Sequence, residues 1–212
     1  MKSPKDMVSS DNEGFGKDPF GYSLLAWHKW TVAQGLVGAP IELDRGPSSN
    51  DLKSPVLWLS HAHAMSEAAR IVLSGRPNLD SMPFDIRGVV HCQYHAVALM
   101  LVDYSLEVCL KAMLILVKGI DLYTEQERQY FKHDLDELAD FIPGLTEKGI
   151  AIFKSLSHFV RWAGRYPDPG FSKEARVEDI FTLSEHHQIF AKDVFELAAR
   201  VMAYSKQIVG AV

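Results

Sequence analysis

The chain has 212 residues, of which 47% are hydrophobic and 23% charged, and a formal net charge of -5. That length suits one domain with a sizeable core plus an extension, and the acidic balance argues against a dedicated nucleic-acid binder without excluding a local basic patch. The most apolar stretch, 97–117, carries Asp103, Glu107 and Lys111 near its middle, which is costly in a bilayer, so it reads as a buried core helix and no membrane partner is expected.

Taken in chain order, residues 1–19 are polar and charged, lack an apolar signal core, and read as disordered or loosely attached. Residues 20–36 hold Phe20, Tyr22, Leu24, Leu25, Trp27, Trp30 and Val32, consistent with a short helix docking an aromatic face. Residues 37–54 are rich in Gly, Pro and Ser and read as a linker, so 1–54 is an N-terminal extension and 55–212 the main domain. Ser54 at an N-cap and Pro55 at the first helical position open the first strong helix. Trp58, His61, Met65, Ala68, Ala69 and Val72 follow at three- and four-residue spacing, and Gly75 and Pro77 stop it.

After a loop at 76–88, a second helix is predicted over 89–118, ending at Gly119; it is apolar almost all round, as the centre of a bundle is. Thr124-Glu125-Gln126-Glu127 reads as a capping box opening a third helix. That helix breaks near His133-Asp134 and resumes through Leu135, Leu138, Phe141 and Ile142 to Pro143-Gly144. Thr146 caps a fourth, with Gly149, Phe153, Leu156, Val160 and Ala163 on one face, ending near Gly164. A loop is predicted over 165–181, then a capping box from Thr182 to Glu185. The last helix follows, with Phe190, Val194, Leu197, Val201, Tyr204 and Ile208 in alternating steps of four and three. No segment alternates with period two. The fold class is therefore all-α: an up-and-down bundle of four to five helices with an N-terminal extension.

Cys92 and Cys109 both fall in the long helix, seventeen positions and so roughly 25 Å apart, too far to pair. Two free buried thiols fit a reducing compartment, and a cytoplasmic location is expected.

Candidate chemistry lies in four places. Asp103, Glu107 and Lys111, four apart, form a polar stripe on the central helix, with Glu before Lys in the favourable orientation. Buried charges need partners, so this is either an ion pair tying helices together or a polar pocket inside the bundle. Glu107 is expected to pair with Arg165, with His133 close by. His91 and His95 flank Cys92 at i,i+4 and can bind a metal from one helix face. No third ligand is evident nearby, the H-E-x-x-H pattern is absent, and His61 and His63 diverge by about 200°, so no metal site is expected.

Arg128-x4-His133 can support phosphodiester cleavage, with histidine as general acid or base and arginine stabilising phosphate charge. His133 can equally cap the helix that follows. The run from Arg161 through Trp162, Arg165 and Tyr166 to Pro167 ends the fourth helix, where cations offset the dipole. Arg161, Arg165 and Tyr166 can also stack bases and grip phosphates. There is no Gly-rich phosphate loop, G-x-S-x-G, C-x-x-C or Rossmann fingerprint, and no cofactor is expected.

Three pieces together resemble the HEPN superfamily of helical-bundle domains. Leu106-Glu107-Val108-Cys109-Leu110-Lys111-Ala112 is similar to the Glu-x-x-x-Lys centre of that family's long apolar helix. Lys132-His133-Asp134-Leu135-Asp136-Glu137-Leu138 resembles its Gly-His-Asp-Leu element, and Trp162-Ala163-Gly164-Arg165-Tyr166-Pro167 an Arg-Tyr-Pro ending. The likeness covers roughly 55–205 and implies a four- to five-helix bundle that commonly dimerises. Some members are metal-independent ribonucleases that use an Arg-x4–6-His motif across a dimer cleft; others are non-catalytic binding domains. The nucleases place that motif on a later helix, often with a small polar residue after the arginine, whereas here Gln129 follows and the pair precedes the resumed third helix. The first expectation is thus a non-catalytic module, homodimeric in the manner of the family, that binds RNA, a nucleotide or a protein. The alternatives are a ribonuclease built on Arg128 and His133 and a purely structural helical protein.

Overall fold

The computed structural model describes residues 7–40, 45–164 and 175–211, and among these it is all-helical, with no strand. The chain divides into two compact units, Met1–Leu57 and Trp58–Val212.

In the first unit two aspartates start helices by accepting from backbone N–H groups otherwise left without a partner. Asp11 accepts from Gly14 N at 2.9 Å to open α1 (Asn12–Lys17). Asp18 does the same from Gly21 N at 2.9 Å for α2 (Pro19–Ser23), which has Pro19 in its first turn. These caps make 12–23 helical where composition alone suggests a loose tail. The expected helix is α3 (Ala26–Leu36), which buries Trp27, Thr31 and Val32; Phe20 and Leu24, expected on an aromatic face, are exposed. Ser48 and Asp51 form a reciprocal capping box around a single turn, α4 (Ser49–Leu52), inside the expected linker.

α5 (Pro55–Ser74) runs from the proline to the residue before Gly75. Its buried positions are Ala62 and Ala69, two turns apart on one face. Small side chains there let it lie close to the next long helix, where Ser105 Oγ donates to the Ala62 carbonyl at 2.9 Å and the Tyr94 hydroxyl to the Val72 carbonyl at 2.7 Å. His61, expected on the inner face, is exposed, so the buried stripe lies one residue further round.

A 3-10 turn (Phe84–Ile86) leads into α6 (Arg87–Lys118). From Val102 to Ile115 all but Tyr104 and Val108 of this helix are buried, as expected for a central element. Its first third is not: Val89, Cys92 and Val97 are exposed, which corrects the expectation of two buried thiols. Gly119, with φ +82°, ends α6 in a backbone conformation that favours glycine.

The chain turns at Gly119 straight into α7 (Ile120–Glu125). Thr124 is therefore inside a helix, its Oγ1 donating to the Ile120 carbonyl at 2.7 Å, and the expected capping box does not form. α8 (Glu127–Tyr130), a break, and the single turn α9 (Leu135–Leu138) follow, with Phe141 and Ile142 beyond its end. Thr146 caps α10 (Glu147–His158), accepting from Gly149 N at 3.1 Å, and α10 widens into a π turn (Phe159–Ala163). The second expected capping box fails too: Thr182 lies within α11 (Ala175–His186), in part of the region expected to be loop. The interruption instead falls at Gln188, with φ +47°, before α12 (Ala191–Ala211). A Thr-x-x-Glu pattern is compatible with helix interiors; tertiary packing chooses where the chain stops.

Val194, Leu197 and Val201 of α12 are buried as the heptad steps predict, while Phe190 precedes the helix and is exposed. α12 packs most extensively along α6, and α10 lies against α6, α9 and α11. Among the described residues no helix is long and apolar enough to cross a membrane.

Leu110 is completely buried. Leu110→Ala is expected to lower unfolding free energy by about 2–5 kcal/mol, measured in denaturant. Burial pushes the Cys109 thiol up from 9.0 to about 11, a hydrogen bond with Ser205 offsetting part of this. The folded state thus favours the neutral thiol; this contribution is complete below pH 9.0 and is lost as pH rises through about 11. Iodoacetamide at neutral pH should label Cys92 alone in the folded chain and both cysteines in denaturant, read by mass spectrometry.

Candidate functional site: a buried carboxylate shared by a lysine and a histidine

Glu107 and Lys111 sit one turn apart on the buried half of α6, Oε1 to Nζ 2.5 Å, with side chains only 8% and 11% exposed. Isolated, either charge would be costly there; paired, the attraction offsets the desolvation. The second carboxylate oxygen, Oε2, lies 2.6 Å from Nδ1 of His133, whose side chain is 43% exposed. Both oxygens of a carboxylate in an apolar helix are therefore engaged, one from its own helix and one from the break between α8 and α9.

The break is held from three sides. Besides the His133 bond, Leu135 N donates to Ser157 Oγ on α10 at 2.9 Å, a buried contact. Asp134 forms an ion pair with Arg161 of the π turn. Widening a helix to a π turn changes where the following side chains project, and here Arg161 reaches across to α9. The exposed ring of Phe131 lies 5.9 Å from Lys111 Nζ, and Tyr104 meets the His133 ring edge-on at 6.4 Å. Asp103, one turn before Glu107, is fully buried.

The structure thus brings Glu107, Lys111 and His133 together and sets Arg161 beside them through Asp134. Arg128 is exposed on α8, and among the described residues no hydrogen bond or ion pair joins it to His133. Arg165 and Tyr166 lie outside the described residues, and with them the expected Glu107–Arg165 pair. The N-cap position of α9 belongs to Asp134, so His133 serves Glu107 and not the helix end. Ser157 and Phe131 escaped the sequence reading, and Asp134 entered it only as part of the His133-Asp134-Leu135 piece, with no role of its own. The signal for Ser157 was a small hydroxyl on an otherwise apolar face.

A carboxylate only accepts, so Nδ1 of His133 carries the shared proton and Nε2 is the nitrogen left for another partner. Lys111, Arg161 and Lys132 each face an acid, the last at 3.7 Å from Glu137. The arrangement is a charge-compensated polar centre with one half-exposed imidazole and one exposed phenyl ring. Among the described residues no group of three or more His, Cys, Asp or Glu is placed to hold a metal ion.

Glu107→Ala strands Lys111 in the core and should cost about 3–5 kcal/mol in urea unfolding, whereas Lys132→Ala, at an exposed pair, should leave the midpoint unchanged. Comparison with family models, curated proteins and solved structures finds no match for this chain.

Proposed function

We propose that this chain is a non-catalytic HEPN-like helical module, an up-and-down bundle with an N-terminal extension, that binds RNA, a nucleotide or a protein partner as a cytoplasmic homodimer. The observation that carries this reading is the closed arrangement of polar groups: Glu107 spends both oxygens on Lys111 and His133, while Arg128 stands apart, exposed. A cleavage centre needs an arginine able to reach the phosphate that the histidine works on. Support for the resemblance comes from distance in sequence. The Glu107–Lys111 piece and the His133–Asp134 piece meet, and Arg161, next to the third piece, pairs with Asp134.

One feature favours a second reading, a metal-independent ribonuclease. A buried carboxylate on Nδ1 is the device that orients a general-base histidine and keeps Nε2 as its working nitrogen.

Incubation of the chain with RNA in excess EDTA separates the two. Neither wild type nor His133→Ala should cleave. Cleavage by wild type that disappears in His133→Ala, with helicity intact by circular dichroism, selects the ribonuclease. Sedimentation equilibrium should return the mass of two chains.

A further inference from the structure

The exposed first third of α6 carries a second cluster of titratable side chains that the site above does not use. His91 and His95 are one turn apart, and their ring centroids are 4.4 Å from each other. Nδ1 of His95 lies 2.9 Å from the backbone carbonyl oxygen of His91. A carbonyl can only accept, so that nitrogen bears the proton and Nε2 keeps its lone pair. A backbone carbonyl on one ring nitrogen is the common support of a histidine that ligates a metal through the other. The His95 ring is also steadied from the side. Tyr94 meets it edge-on at 5.6 Å, and the Tyr94 hydroxyl is anchored to the Val72 carbonyl of α5 at 2.7 Å.

We propose that His91 and His95 bind a divalent transition-metal ion of the nickel, copper and zinc class, each through one imidazole nitrogen, with water completing the coordination. Imidazole pairs suit these borderline ions, whereas calcium and magnesium demand oxygen ligands. Cys92 is exposed but projects about 100° round the helix from His91. With no third protein ligand placed among the described residues, the site is a two-imidazole clip. Binding closes one turn of α6 and stiffens the end that packing leaves uncovered. The other paired histidines are not built this way: His61 and His63 diverge by about 200°, and His186 and His187 are adjacent, with rings edge-to-face.

The test is isothermal titration of the full chain with nickel chloride, an ion that does not oxidise Cys92. Wild type should bind one ion tightly. His91→Gln and His95→Gln should each weaken it about a hundredfold, the loss expected when two linked binding groups become one. A His61→Gln/His63→Gln double variant and Cys92→Ser should titrate like wild type. Nickel binding equal to wild type in both His91→Gln and His95→Gln, with helicity unchanged, overturns the proposal. So does a comparable loss in Cys92→Ser, which would move ligation to the thiol. Neither result bears on RNA cleavage by His133, so this inference stands or falls by itself.

Discussion

One carboxylate, Glu107, sets the terms for the surrounding structure. It lies in the buried part of α6, where an ionised group is costly unless it is paired and hydrogen-bonded. Lys111 matches one oxygen from the same helix, at the spacing that any α-helix provides. The other oxygen needs a donor from elsewhere, and His133 supplies it. That requirement brings the break between α8 and α9 onto α6, and the Ser157 and Arg161 contacts then hold the break from α10 and the π turn. A polar demand in the core thus orders a segment that has little regular structure of its own.

Around this centre the second unit is organised by side-chain size. Ala62 and Ala69 let α5 approach α6 closely enough for hydroxyls to reach backbone carbonyls. The larger Val194, Leu197 and Val201 fill the space between α6 and α12. Packing fades toward the start of α6, where the same helix passes from buried to exposed within a few residues. The two ends of α6 consequently do different work. One stabilises the unit, and the other displays His91, Cys92 and His95.

Charge compensation also decides which groups the centre leaves open. Lys111 and Arg161 have acids of their own, so they are poor phosphate grips despite lying near an exposed phenyl ring and a half-exposed imidazole. The groups that this pairing leaves open are the exposed Phe131 ring and the second nitrogen of His133.

Short-range chemistry made much of the fold legible in the residues alone. Pro55 and Gly75 bracket α5, Gly119 ends α6, Thr146 caps α10, and the Glu107–Lys111 pair follows from helical spacing, because each depends on atoms within a turn or so of one another. The all-helical class follows likewise from hydrophobic period. Packing decided the rest. The Thr124 and Thr182 patterns could not reveal that their residues lie inside helices, since a Thr-x-x-Glu is compatible with either position. Cys92 looked as apolar as Cys109, and only the neighbours that each end of α6 meets make one exposed and the other buried. The bonds from Glu107 to His133 and from Asp134 to Arg161 each span more than two dozen residues. Periodicity has no information at that range; in the folded chain the buried Glu107 carboxylate draws in a second donor, and packing sets the half-buried Asp134 beside Arg161.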